Sequence, residues 1–147
     1  MNIDKRSRPA WLGLSAALVF AVSLLGTYSS LAGAATVRVT LAGDQEVPPV
    51  KSAGAGTGTI MVAPDKTVTG SVTTTGIVGT AGHIHLAESG KSGPVVIMLV
   101  KKGDTYTVPA GAKLTDEQFA SFQTGNLYVN VHTAANANGE IRGQLKP

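Results

Sequence analysis

From Thr36 to Leu41 the side chains alternate, with Thr36, Arg38 and Thr40 polar and Val37, Val39 and Leu41 apolar. Successive side chains of a strand point to opposite faces, so a period of two marks a strand with one face buried. The same alternation, or a run of β-branched residues, returns over residues 57–63, 67–75, 83–86, 95–101, 105–108, 127–132 and 140–145. Each run is bounded by Gly, Pro, Asn or Ser, the residues that suit turns. Pro64-Asp65-Lys66 lies between the second and third runs and predicts a hairpin there. Residues 42–56 contain Pro48-Pro49, which have no N–H to give a ladder, so this stretch is a loop. One segment departs from the pattern. Thr115-Asp116-Glu117-Gln118 has the form of a capping box, with Leu114, Phe119 and Phe122 on a compatible face, and predicts a helix of about two turns. Short strands at this spacing with one short helix predict an all-β fold, a β-sandwich or Greek-key barrel.

The start of the chain does not fit this picture. Lys5, Arg6 and Arg8 precede an uncharged run from Ala10 to Leu25, and Ser29-Ser30-Leu31-Ala32-Gly33-Ala34-Ala35 follows. A positive end, an apolar middle and small residues at a cleavage site make up a secretory signal, cut after Ala34 or after Ala35. The expected organisation is a signal peptide over residues 1–34 and one domain over 35–147, placed outside the cytoplasm as a secreted or periplasmic protein. Retention as an anchor is the alternative, although the apolar run falls short of the ~20 residues that span a bilayer. Without residues 1–34 the formal charge falls from +3 to +1, and the remaining cations are scattered along the chain. Nucleic-acid binding thereby loses its electrostatic basis. The chain has no cysteine, which excludes disulfides, thiolate metal sites and cysteine catalysis. A domain of about 113 residues still buries roughly two-thirds of its unfolded surface and can be stable without such staples.

The candidate chemistry rests on three histidines, His83, His85 and His132. In a strand, His83 and His85 project from one face while Ile84 points to the other, their Cα atoms about 6.6 Å apart. Two imidazoles can bridge that span onto one ion about 2.0 Å from each nitrogen. Tyr128, Asn130 and His132 alternate with Leu127, Val129 and Val131, so His132 also faces away from the core. A site of three imidazoles suits copper or zinc. The other use of the pair is to bind neighbouring glycine-rich loops through hydrogen bonds, with no ion. Among the carboxylates, Glu46, Glu88 and Glu140 stand outside obvious turns, but no spacing makes two of them neighbours. Glu140 and Arg142 share one strand face. They read as an ion pair on a solvated face, or as an Arg142 fork that holds Glu46 or a ligand carboxylate, with a tie inside the domain preferred. No Gly-x-Ser-x-Gly elbow and no phosphate-cradling glycine loop is present, which disfavours both enzyme classes and leaves no catalytic residue to name.

Several blocks resemble a known family: Leu41-Ala42-Gly43-Asp44-Gln45-Glu46-Val47-Pro48-Pro49, Ala81-Gly82-His83-Ile84-His85, Gly93-Pro94-Val95-Val96, residues 125–133 and Gly139-Glu140-Ile141-Arg142-Gly143-Gln144-Leu145. In this order they resemble the CHRD domain, named after chordin and frequent in secreted bacterial proteins. The resemblance implies an immunoglobulin-like β-sandwich with limited similarity to copper/zinc superoxide dismutases. Those enzymes carry an H-x-H pair and a later copper-ligating histidine, which His83, His85 and His132 resemble in order. Their bridging histidine, zinc cluster and disulfide have no counterpart. The expectation is therefore a secreted binding or matrix module whose partner is a metal ion or an extracellular protein. His83, His85 and His132 would hold one copper or zinc ion, and Glu46, Asn130, Glu140 and Arg142 would form a structural polar set. A mononuclear copper oxidoreductase with dismutase-like activity is the alternative.

Overall fold

The computed structural model describes residues 33–147. The expected signal segment over 1–34 lies almost wholly outside them. Nine strands occur among the described residues: β1 (Ala35–Ala42), β2 (Ala55–Val62), β3 (Val68–Thr75), β4 (Gly79–Leu86), β5 (Val95–Met98), β6 (Val100–Lys102), β7 (Thr105–Thr107), β8 (Leu127–Thr133) and β9 (Ile141–Leu145). They form one sheet in the order β5-β4-β8-β9-β1-β2-β3-β7-β6, and every pairing is antiparallel. The two ends of that order, β5 and β6, are consecutive in the chain. Only Leu99 separates them, so the sheet curls round to bring its ends together in a nearly closed barrel, and Leu99 carries the β4–β5 ladder one rung further by donating its N–H to the Gly82 carbonyl (2.9 Å). The mostly antiparallel β architecture, with one α-helix and a 3-10 turn at Gly43–Gln45 among the described residues, is the all-β class that the alternation predicts.

The alternation fills the barrel. Val37, Val39 and Leu41 of β1 are buried while Arg38 and Thr40 are exposed. Ile60, Val72, Ile84, Val129, Val131, Ile141 and Leu145 join them in one core. Tyr106 of β7, fully buried, is the largest hydrophobic side chain in that interior. Gly79 and Gly82 of β4 make room for it: a Cβ on Gly82 would stand 2.7 Å from Tyr106 Cδ1, and one on Gly79 would run into the hydroxyl. The predicted hairpin is β2–β3, with Val62 opposite Val68, and its turn is closed by Lys66 N–H to the Ala63 carbonyl (2.8 Å). The helix α1 (Asp116–Gln123) starts at Thr115 with both arms of the capping box made. Gln118 N–H donates to Thr115 Oγ1 (3.2 Å) and Thr115 N–H to Gln118 Oε1 (2.9 Å). Phe122 is buried and Phe119 packs against the core.

Most boundaries lie within two residues of expectation, β2 taking in Ala55 and Gly56 of the expected loop, and two differ by more. The run 95–101 is two strands, because the chain leaves its partner β4 after Met98 and pairs with β7 from Val100 onward. Strand β4 starts at Gly79, four residues before the predicted start, where Gly79-Thr80-Ala81-Gly82 has a loop-like composition but is held in register by β8.

Candidate metal centre

Strands β4, β8 and β9 lie side by side, and their register sets which side chains meet. His83 stands opposite Asn130 and His85 opposite Tyr128, while Asn130 faces Arg142 and Tyr128 faces Gln144 on β9. His132 is opposite Ala81, one step diagonal from His83. All of these side chains therefore rise from the same outer face of the barrel wall.

That face is not solvated, which rules out the less favoured reading of Glu140 and Arg142 as an ion pair on a solvated face. Arg142 is 1% exposed, Asn130 1%, Tyr128 3%, Glu46 6%, and Glu140 and His85 8% each. His85 faces away from the core, as its place in H-x-H predicts, yet is buried, whereas His83 and His132 are partly exposed. Alternation identifies the face opposite the core but carries no information on whether loops fold over it. Here residues 87–94 do so. Arg142 donates from Nη1 to the Lys91 carbonyl (2.7 Å), and from Nη2 to the Glu88 carbonyl (3.2 Å) and Gln144 Oε1 (2.9 Å). Gln144 Nε2 donates to the carbonyls of Ala87 (2.8 Å) and Gly125 (2.9 Å). The Arg142 fork thus grips main chain and does not close on the Glu46 carboxylate, as the sharper sequence reading had it. The guanidinium lies 3.5 Å from the centre of the Tyr128 ring, and His85 stacks on that ring at 4.8 Å with planes 4° apart.

Glu140 has a separate task. Its carboxylate accepts from Ser52 Oγ (2.5 Å), Thr133 Oγ1 (2.7 Å) and Asn136 Nδ2, joining the 43–54 and 133–140 loops. These donors hold its pKa below the ordinary value. Glu46 is pushed the other way, raised because burial outweighs the charge of Arg142, the Asn130 amide and the Val47 N–H. Gly139 lets Glu46 and Asn130 approach: its φ is +134°, and a Cβ there would stand 2.8 Å from Asn130 Nδ2 and collide with the Glu46 carboxylate. Glu88, the third candidate carboxylate, is an exposed partner of Lys91 at 2.5 Å.

The three histidines converge. One ring nitrogen from each of His83, His85 and His132 lies within 4.8 Å of the others. His85 Nδ1 is 2.9 Å from the Gly93 carbonyl, and His132 Nδ1 is 2.9 Å from the Ala137 carbonyl. A carbonyl only accepts, so each Nδ1 carries the proton and each Nε2 keeps a lone pair. His132 Nε2 accepts from His83 Nδ1 at 2.9 Å. His85 Nε2 is buried and has no partner in the structure. Burial, first, and the neighbouring histidines lower the pKa of His83; burial is also the first cause that lowers His85, partly opposed by its bond to Gly93. Neutral imidazole, the form that binds metal, is thereby favoured at both positions. The sequence signals His83, His85 and His132, but not Gly93 and Ala137, whose contribution is a backbone carbonyl and therefore leaves no residue-type signature.

The protein-family comparison matches the CHRD domain over residues 37–145. The chain belongs to the CHRD family. No curated protein and no solved structure matches it.

Proposed function

We propose that this CHRD domain is an extracytoplasmic binding module that holds one copper or zinc ion through His83 Nδ1, His85 Nε2 and His132 Nε2. The reading is carried by one observation: one ring nitrogen from each of the three histidines lies within 4.8 Å of the others, and Nδ1–H bonds to Gly93 and Ala137 leave the Nε2 lone pairs of His85 and His132 to act as ligands. Carbonyls that hold the far nitrogen of a ligand histidine fix its tautomer and orientation, as outer partners of metal sites do. The 2.9 Å between His83 Nδ1 and His132 Nε2 also suits a shared ion. Nitrogens each about 2.0 Å from one ion, at right-angle to tetrahedral directions, lie about 2.8–3.3 Å apart. Ligation through Nδ1 would use the other neutral tautomer of His83, with the proton on Nε2, and the Nδ1–H bond to His132 would give way to the ion. The signal-like layout of residues 1–34 supports the location.

Titration of the purified domain with Cu(II) or Zn(II) should give one ion per chain, and His85→Ala and His132→Ala should each bind far more weakly. Equal affinity in the His132→Ala variant would exclude the site. Recovery of the protein outside the cytoplasm with its N-terminus at Ala35 or Thr36 would match the proposed location, whereas an intact N-terminus in the membrane fraction would mean a retained anchor.

A further inference from the structure

The three-histidine reading leaves the choice between copper and zinc open, and the strand beside β4 bears on it. In the register of β4 and β5, Met98 is the direct partner of His83, and Ile97 is the partner of Ile84. Ile84 and Ile97 point into the core, both buried, so Met98 and His83 rise together from the outer face. Met98 is 69% exposed, among the most exposed large hydrophobics of the described residues. Burial therefore does not account for a thioether at this place. Strand β5 is an end of the sheet order, so no further strand in that order covers Met98 from its free side.

We propose that Met98 supplies a thioether ligand to an ion held by His83, His85 and His132, which makes the site selective for Cu(I). The proposal rests on the three-histidine site. Directly opposed residues of an antiparallel pair have Cβ atoms about 4.5–5.5 Å apart, and long side chains reach even the diagonal neighbours at about 7–8 Å. Methionine has three rotatable side-chain bonds and no branch, so an exposed one turns toward a neighbour at little cost. Thioether sulfur is a soft donor that favours Cu(I), whereas imidazole alone serves zinc and both copper states. The domain contains no cysteine to offer a competing soft ligand. A donor set of three imidazoles and one thioether therefore favours Cu(I) over Zn(II), while the histidines alone would not.

Met98→Leu keeps the size and apolar character of an exposed side chain and leaves all three histidines in place. Cu(I) affinity is measured by competition with a chromogenic Cu(I) chelator under reducing conditions, and Zn(II) affinity in parallel, for wild type, Met98→Leu and His132→Ala. The expected result is a Cu(I) affinity in Met98→Leu weakened by at least the roughly tenfold that loss of an outer partner of a metal site costs. Its Zn(II) affinity should be unchanged, and X-ray absorption should show a sulfur neighbour to copper only in the wild type. Unchanged Cu(I) affinity in Met98→Leu, or no sulfur neighbour in the wild type, would overturn the role of Met98 while leaving the histidine site standing. Loss of neither ion in His132→Ala, or no binding by the wild type, would overturn the histidine site and this proposal with it.

Discussion

At the residue scale, two buried carboxylates a few ångströms from the same loops behave in opposite ways, and the difference lies in their donors. Glu140 accepts from three side chains, and its folded pKa sits below the ordinary 4.5. A depressed carboxylate contributes stability above its unfolded pKa and loses it as pH falls through the lower folded value. Glu140→Ala should therefore destabilise the domain at neutral pH by about 2–3 kcal/mol, the range for losing charge-assisted bonds and leaving buried donors unmet. Denaturant midpoints of the variant and wild type should converge in acid, and a constant gap across pH would argue against the ionic tie. Glu46 has its Oε1 buried without a partner, and burial raises its pKa. Its stability contribution is present below the unfolded value and lost as pH rises through the folded one, so at neutral pH the charge is a burden. Glu46→Gln should leave the melting temperature equal or higher at neutral pH and give no gain below the ordinary carboxylate range. A lower melting temperature at neutral pH would show that the attraction to Arg142 outweighs burial.

At the scale of elements, the sequence was most readable where one physical signal dominated. Strands β1, β2 and β8 follow directly from alternation, and the capping box located α1 to within a residue. Thr115→Ala should cost about 1 kcal/mol, the usual loss when an N-cap side chain is removed, and is checked by denaturant unfolding. The reading failed where a residue serves a distant partner. Gly79 and Gly82 look like loop composition, but they are strand residues whose missing side chains admit Tyr106 of β7. Gly82→Ala should accordingly destabilise by about 1–3 kcal/mol through overpacking, and pairing it with Tyr106→Phe will not relieve the contact, because the clash is with the ring. The break at Leu99 was equally hidden, since a change of partner strand leaves the local alternation intact. For the site, H-x-H and the third histidine were legible as one face of a wall. The loops over that face, and the carbonyls of Gly93 and Ala137 behind the rings, were not, because backbone groups carry no identity in the sequence.

At the scale of the molecule, the proposed ion and the fold are linked. An ion that binds only the folded form at a hundredfold its dissociation constant adds about 2.7 kcal/mol to stability. Added Cu(II) or Zn(II) should raise the melting temperature of the wild type and not of His85→Ala. The affinity should hold near neutrality and fall as pH drops below the ordinary histidine range, since protons compete for the ligand nitrogens. Lowered pKa values at His83 and His85 place that loss further into acid than free imidazole would show, and a titration flat from neutral to acid pH would count against histidine ligation. Leu99, between β5 and β6, carries the β4–β5 ladder one rung further through its N–H bond to the Gly82 carbonyl, at the residue beside His83. Ends of a sheet are templates on which other chains add strands. Strands β5 and β6 are the two ends of this sheet order, and Lys101 and Lys102 stand exposed on β6, where their charge opposes the addition of another chain. Lys101→Thr and Lys102→Thr together should therefore increase self-assembly of the chain, read by light scattering, and unchanged scattering would show that the β6 edge is no such template.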